Sequence, residues 1–231
     1  MIKFLRFGLT AVALTFVFNA FAVTETKAQG LLNKILNTMD AHYNALTSLQ
    51  ASVKMDKYNS QLDEHDITEG TVKYLPLKGR DALVRIDWTK PVQESLAVVN
   101  KEYVLYRPRL GQALIGKVDK AKGNAKSNSA LAFMNMSKAQ LKANYNVKFI
   151  GQENVSGGIQ TWHLELTPKT KTSYKLADIW VDGDGMPIQM RVTENNNDAT
   201  TVLLSNLQKN LTIKAEVFQI NLPKGTRKIE G

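Results

Sequence analysis

The sequence has no cysteine among its 231 residues. That absence excludes disulfides, thiolate metal sites, a cysteine nucleophile and a lipid-modified N-terminal cysteine. Histidine is scarce too, with three in the chain, and the motifs of serine hydrolases, zinc proteases and nucleotide-binding proteins are missing. We therefore expect no catalytic centre, no cofactor and no metal site.

Two acidic clusters are the remaining candidates for binding a cation, residues 63–66 (DEHD) and the pair Asp182 and Asp184. Nothing else supplies further ligands at a recognisable spacing for the first cluster. Turn geometry accounts for the second, because its aspartates alternate with glycines. We interpret both clusters as solvent-exposed turns.

The N-terminus has the pattern of a secretory signal peptide. Lys3 and Arg6 precede an apolar run over 7–17, and Ala20 and Ala22 form a small-x-small cleavage site. An uncleaved anchor is less favoured, because the run is short for a membrane span of about 20 residues. We predict a signal peptide at 1–22, with cleavage after Ala28 as the alternative, and a single domain at 23–231.

The charge of the chain is strongly positive. Its 30 Lys and Arg residues against 21 Asp and Glu give a net charge of +9, which loss of Lys3 and Arg6 lowers to +7. With 43% hydrophobic residues a packed core is expected. An exported chain without cysteine fits a bacterial periplasm better than a eukaryotic extracellular space, where small domains usually carry disulfides.

Hydrophobic periodicity predicts a mostly β protein. Apolar residues recur at helical spacing over 31–46, and alternation with period two begins at Leu49. On the strand predicted at 82–89, Val84, Ile86 and Trp88 lie on one face and Arg85 on the other. Further strands are predicted at 69–74, 92–99, 102–106, 112–118, 146–153, 159–167, 174–182, 186–194, 199–206 and 216–220.

Connections are predicted from turn residues. Asn100 with Lys101, and the stretch 182–185, are typical of tight hairpins, while 60–66 and 119–130 are predicted loops. Short helices are predicted at 130–136 and 137–141, the second capped by Ser137. About ten antiparallel strands, one N-terminal helix and one helical insert favour a single large curved sheet or open barrel.

Two features of the middle of the chain allow a functional or a structural interpretation. Residues 107–150 contain nine basic residues and one acidic residue, which suits an acidic partner or an anionic lipid surface, or else a solvated surface. Export and the lack of a stacking motif argue against nucleic acid. The apolar run at 131–136 suits an adaptable binding surface, or else ordinary core packing.

Five segments together resemble the LolA family of periplasmic carriers of outer-membrane lipoproteins. They are 70–74 (GTVKY), 84–91 (VRIDWTKP), 98–112, 164–169 (LELTPK) and 218–225 (FQINLPKG). The sequence departs from the family pattern at Val84, Ile86 and Arg107, and at the turn formed by Asn100 and Lys101.

The resemblance implies an unclosed antiparallel half-barrel whose concave face is covered by helices that act as a lid. It implies a cavity for acyl chains, with Arg85 tying the sheet to the lid. Candidate cavity or lid residues are Arg85, Trp88, Leu131, Phe133, Met134 and Met136. A candidate docking patch for partners consists of Arg107, Arg109, Lys117, Lys120 and Lys122.

The implied function is a non-enzymatic, monomeric shuttle. It would take acylated lipoproteins from an inner-membrane ABC-type releasing complex to an outer-membrane receptor or to the outer membrane itself. Without cysteine the chain cannot be the lipid-anchored receptor of the same fold. Two alternatives remain open: a carrier of another lipid or glycolipid, and a secreted hydrolase, which two carboxylates and a histidine inside the cavity would favour. On the shuttle hypothesis, Arg85→Leu is expected to impair transfer and leave the fold intact.

Overall fold

The computed structural model describes residues 18–77, 82–118 and 136–231, with the side chains of the first helix described from Gln29 onward. Helix α1 spans Phe18–Ala45 and helix α2 spans Lys138–Asn144. The strands are β1 Leu49–Asn59, β2 Glu64–Pro76, β3 Ala82–Lys90, β4 Glu94–Val99, β5 Glu102–Arg107, β6 Gln112–Lys117, β7 Tyr145–Val155, β8 Ile159–Pro168, β9 Tyr174–Val181, β10 Pro187–Glu194, β11 Ala199–Lys209 and β12 Arg227–Glu230.

All twelve described strands belong to one sheet, in the order β12-β6-β5-β4-β3-β2-β1-β11-β10-β9-β8-β7. Each neighbouring pair is antiparallel except β12 and β6, which are parallel. The first and last strands of this order, β12 and β7, do not pair with each other. The predicted unclosed antiparallel sheet is therefore confirmed, with twelve strands rather than about ten.

Alternation along the strands gives the sheet two chemically different faces. On β1, Leu49, Ala51, Val53 and Met55 are buried and share a face with Leu204 of β11. We call this the inner face, because α1 packs on it, and the opposite side the outer face.

Helix α1 lies on the inner face through one apolar stripe. Leu32, Ile35, Leu36 and Met39 recur at helical spacing and are at most 7% exposed. Gly185, in the turn between β9 and β10, lies directly against the helix backbone. The described contacts of α1 include β7, α2 and the β9–β10 turn.

Helix α2 is short and depends on specific polar contacts. Ser137 caps it as predicted: the Gln140 backbone N–H donates to the Ser137 hydroxyl, and the Ser137 N–H donates to the Gln140 side chain. The Lys138 N–H donates to Asp40 Oδ1 at 3.0 Å, and Lys142 Nζ donates to Asn33 Oδ1 at 2.9 Å. These bonds attach α2 alongside α1.

The C-terminal segment, residues 211–226, crosses the outer face of the other half of the sheet. Its 3₁₀ turn Ala215–Phe218 contacts β3 and β4, and Phe218 is fully buried there. Beneath it the outer-face residues Leu83, Ala97 and Ala113 are buried as well. Strand β12 then adds to the edge of β6, so the chain end covers both the outer face and one edge of the sheet.

Two boundaries differ from the prediction. Helix α1 begins at Phe18 rather than at residue 31, because no proline interrupts 18–45 and alanine recurs there. The loop predicted at 60–66 contains only the turn 60–63, since β2 begins at Glu64 and pairs with β1 up to Asn59. That part of the hairpin is polar and exposed, and its backbone ladder needs no apolar side chains.

The strand predicted at 216–220 is wrong. The segment forms the 3₁₀ turn instead, because it crosses the sheet and two of its carbonyl oxygens accept hydrogen bonds from Arg85. The strand β12 that follows was not predicted, since its sequence RKIE has almost no apolar signal. Both predicted hairpins are confirmed, and Asn100 and Lys101 have φ values of 51° and 65°, as a type I′ turn requires. Neither described helix combines the length and apolar character needed to cross a membrane.

We predict that Gly185→Ala destabilises the protein by about 2 kcal/mol or more, because it adds strain and a clash at one point. Gly185 has a φ of +89°, and a Cβ there would lie 2.4 Å from the Thr38 carbonyl oxygen. Chemical denaturation measures the loss. Gly183→Ala in the same turn is the control, since its Cβ would meet no atom within 4 Å. Equal stability of the two variants would contradict the proposed contact with α1.

Candidate functional site

The inner face of β3–β6 carries side chains in three cross-strand rows. The first row is apolar and consists of Val84, Val98, Tyr103 and Gly116. The second is also apolar and consists of Ile86, Leu96, Leu105 and Leu114. The third is polar apart from its aromatic member and consists of Trp88, Glu94, Arg107 and Gln112.

The two apolar rows are only half covered. Ile86 is fully buried, but Val84, Leu96, Leu105 and Leu114 have intermediate exposure. Four strands at about 4.8 Å spacing make this surface roughly 14 Å wide. We call it the inner-face groove. Its residues Val84, Trp88 and Leu96 also pack against the core cluster that contains the apolar stripe of α1.

The polar row lies at one end of the groove, beside the β3–β4 connection (91–93) and the 3₁₀ turn Pro108–Leu110. Arg107 Nε lies 3.2 Å from Glu94 Oε1, and the two side chains are 35% and 30% exposed. The two atoms lack the alignment of a hydrogen bond, so the buried Arg107 Nε has no acceptor. The inner-face groove is therefore apolar along most of its length and polar at this end.

Arg85 lies on the outer face, away from the groove. Its Nη1 donates to the Val217 and Gln219 carbonyl oxygens at 2.9 and 3.1 Å, and its Nε donates to Asp87 Oδ2 at 2.9 Å. Ser95 Oγ donates to Asp87 Oδ1 at 2.7 Å. Arg85 thus holds the C-terminal segment against β3, and these bonds do not reach the helices predicted to form a lid.

The Asp87 carboxyl shows how strongly this outer-face cluster is held. Burial by itself would raise the pKa of Asp87, but hydrogen bonds from Arg85 and Ser95, with the charges of Arg85 and Lys73, outweigh burial and lower that pKa. Asp87 is therefore a stably ionised partner for Arg85.

The other predicted cavity and lid residues are only partly described. Trp88 lies on the inner face, in the polar row. Met136 packs half-buried against the core, next to the cap of α2. Arg85 and Trp88 project from opposite faces, so they cannot line one cavity together. Leu131, Phe133 and Met134 lie outside the described residues.

The predicted docking patch does not form one surface among its described members. Arg107 lies in the inner-face groove beside Glu94, and Arg109 is exposed in the 3₁₀ turn at the start of β6. Lys117 is at the far end of β6, on the outer face with Ala113. Lys120 and Lys122 lie outside the described residues. Closeness in sequence did not produce a common surface here, because a strand and a change of face separate the charges.

The structure brings together one cluster that sequence reasoning missed. His163 Nδ1 lies 2.9 Å from Glu153 Oε1, and its Nε2 lies 2.8 Å from Asp178 Oδ1. Its ring stacks on Trp180 at 4.4 Å, and Trp180 Nε1 donates to Glu153 Oε2. Cross-strand register alone joins these residues, which are up to 27 positions apart in sequence. The two hydrogen bonds from Trp180 and His163 lower the pKa of Glu153.

This cluster lies on the outer face, since His163 pairs with Trp180 and alternates with buried Leu164. Both histidine nitrogens already have carboxylate partners, so neither is available as a base toward a substrate. The cluster is therefore not the histidine with two carboxylates inside the cavity that a hydrolase would require.

Of the two acidic sequence clusters, only the second is a turn, because in the first Asp63 alone lies in the turn and residues 64–66 form the start of β2. His65 Nδ1 contacts the Asp56 carboxylate at 2.8 Å, and Tyr58 Oη donates to Asp63 at 3.0 Å. Asp182 Oδ1 accepts the backbone N–H groups of Asp184 and Met186, as expected for a turn. Over the described ranges no group of three or more His, Asp or Glu side chains is placed to hold a metal ion.

Comparison with known proteins gives one clear match in sequence. The family described as outer membrane lipoprotein carrier protein LolA matches residues 45–221. No curated protein sequence matches the chain.

Solved structures of low sequence identity resemble the fold. An uncharacterised conserved protein from Thermus thermophilus matches with a TM-score of 0.55 at 14% identity, covering 87% of this chain and 99% of that one. A LolA superfamily protein from Nitrosomonas europaea matches with a TM-score of 0.42 at 12% identity, covering 81% and 97%. The lipoprotein LppX from Mycobacterium tuberculosis matches with a TM-score of 0.46 at 13% identity, covering 79% and 99%.

The contacts of Arg85 change what we expect of Arg85→Leu. We now predict that this variant loses about 2 kcal/mol of stability, because it removes two bonds to the C-terminal segment and leaves the partly buried Asp87 without its cation. Chemical denaturation, with limited proteolysis of residues 211–226, measures the effect. Arg191→Leu, an exposed position on β10, is the control. A variant as stable and as protease-resistant as the control would contradict this role.

The lowered pKa of Asp87 predicts a pH dependence. A carboxyl whose pKa falls on folding stabilises the native state above its unfolded pKa, usually 3.8, and loses that contribution as pH falls through the folded value. We expect Asp87→Asn to be less stable than wild type at pH 7, with the gap narrowing below about pH 4. Unfolding free energies measured across pH test this. The exposed Asp66→Asn serves as the control, and a pH-independent gap for Asp87→Asn would refute the assignment.

Proposed function

Because the chain belongs to the LolA family of outer membrane lipoprotein carrier proteins, we propose that it carries acylated lipoproteins through the periplasm and holds their acyl chains in the inner-face groove. The observation that supports this most is the pair of apolar rows on β3–β6, which are half-exposed on the inner face of an unclosed sheet.

The physical need for such a carrier follows from the hydrophobic effect. Each CH₂ group exposed to water costs about 0.8 kcal/mol, so a multiply acylated protein does not cross an aqueous compartment freely. A carrier must cover these chains and also give them up. A groove whose residues are already half-exposed can release a ligand without unfolding the core that packs under α1.

The proposed role is binding without chemistry. The His163 cluster supports this view, since its nitrogens are engaged by Glu153 and Asp178 on the face away from the groove. We propose no cofactor and no metal for the function. Residues Trp88 and Met136 remain candidates for contact with the acyl chains.

The route through the cell extends the proposal. A signal peptide at 1–22 would export the chain to the periplasm as the mature domain 23–231. An inner-membrane ABC-type releasing complex would load a monomeric carrier, and an outer-membrane receptor or the membrane itself would accept the cargo. The basic residues between 107 and 150 are candidates for contact with these partners.

A carrier of another lipid or glycolipid is the second candidate. The same half-exposed groove supports it, because apolar rows accept acyl chains whatever head group the chains bear. Mass spectrometry of species extracted from gently purified protein separates the two candidates. Recovery of acylated polypeptides supports the first, and recovery of free lipids alone supports the second.

We predict that Leu105→Glu abolishes the release of lipoproteins from inner-membrane vesicles into the soluble fraction. A charge in the middle of the apolar row makes burial of an acyl chain beside it unfavourable. Ile150→Glu, exposed at the register shift of β7, is the matched control and should release lipoproteins like wild type. Circular dichroism verifies that both variants fold. Release by folded Leu105→Glu at the wild-type level would exclude this groove as the acyl site.

A further inference from the structure

We propose that the polar row at the end of the inner-face groove is a head-group site, in which Arg107 donates a hydrogen bond to the ester or amide carbonyl that joins an acyl chain to its carrier molecule. The inference rests on the proposed function and adds an orientation to it. Acyl chains lie along the two apolar rows, and the linkage lies at Trp88, Glu94 and Arg107.

The first support is the order of the rows. Val84 has the apolar neighbours Val98 and Tyr103 in its row, and Ile86 has Leu96 and Leu105. Trp88, the next inner-face residue on β3, has the charged neighbours Glu94 and Arg107. An acyl lipid has the same order, with a long apolar part followed by a polar linkage. The groove is therefore matched to a ligand in one direction only.

The second support is an unmet hydrogen bond. Arg107 Nε is buried and has no acceptor, although Glu94 Oε1 is 3.2 Å away. A buried donor without a partner is unfavourable, so a ligand oxygen that accepts this bond gains more than it would from a satisfied side chain. Thr68 on β2, which shares the inner face with Met55, also has a buried hydroxyl without a partner.

The third support concerns the charge of the ligand. Glu94 lies directly across from Trp88 and beside Arg107, so the row as a whole is close to neutral. The Glu94 carboxylate would repel a fully anionic head group, whereas it would not repel a neutral carbonyl group in this way. An amide linkage could in addition donate its N–H to Glu94. Neutral ester and amide groups therefore fit the row better than a phosphate or a free carboxylate.

Two lipids that differ in one carbonyl provide the test. Monoolein joins its chain to glycerol through an ester, and its ether analogue lacks only the carbonyl oxygen. Each is titrated against protein loaded with the apolar fluorophore N-phenyl-1-naphthylamine, and the decrease in fluorescence gives its affinity. We expect wild type to bind the ester about tenfold more tightly than the ether, as a hydrogen bond from a charged donor predicts.

Variants then assign that preference to Arg107. Arg107→Met should lose the preference and bind the ester and the ether equally. The double variant Glu94→Gln/Arg107→Met should behave in the same way and leaves no carboxylate unpaired, which keeps the test valid if the single variant folds poorly. Arg191→Met, an exposed arginine on the outer face, should retain the wild-type preference.

The outcomes separate the two proposals. If wild type binds the fluorophore but does not distinguish ester from ether, or if Arg107→Met weakens both lipids alike, the head-group site is refuted and the groove remains. If neither lipid displaces the fluorophore from wild type, or if the fluorophore does not bind, the acyl-binding groove itself fails and the head-group site fails with it.

Discussion

Side chains on one strand alternate between two faces. In this molecule that constraint separates the groove on one face from the contacts of the C-terminal segment on the other. On β3, Val84, Ile86 and Trp88 face the groove, while Arg85 and Asp87 face the C-terminal segment. Two different tasks are therefore built into nine consecutive residues. Neither face could change register alone, because a shift by one residue would place the arginine in the groove and the apolar side chains under the C-terminal segment.

The two faces are covered to different degrees, and this difference follows from what packs on them. The outer face of β3 and β4 is covered by the 3₁₀ turn that contains Phe218 and by the bonds from Arg85, and Leu83 and Ala97 are buried there. On the inner face, α1 packs on the core, while Val84, Leu96, Leu105 and Leu114 keep intermediate exposure. The C-terminal segment thus holds the sheet from its outer side at β3 and β4, and we propose that the ligand binds on the inner side.

Much of this arrangement could be predicted from the sequence, since period-two alternation, Asn-Lys and Asp-Gly turns and the Ser137 cap are local signals. Arg85 and Trp88 were both predicted as cavity or lid residues, although the alternation that predicts the strand already places their side chains on opposite faces. The 3₁₀ turn Ala215–Phe218 could not be foreseen, since its geometry depends on Arg85, 130 residues away. The Glu94–Arg107 pair and the His163 cluster were hidden for the same reason, because each is created by register between strands.

The groove combines weak and strong interactions in a way that suits reversible binding. Apolar burial contributes affinity in proportion to chain length but little discrimination, because one methylene is equivalent to the next. A single unmet donor such as Arg107 Nε contributes less total affinity, yet it distinguishes one end of a ligand from the other. If the apolar rows were fully enclosed, release would require parting of the core under α1. If the polar row were fully satisfied within the protein, nothing would fix the position of the chain. On this proposal, the half-exposed rows allow an acylated molecule to be released, and the unpaired Arg107 Nε fixes the direction in which it binds.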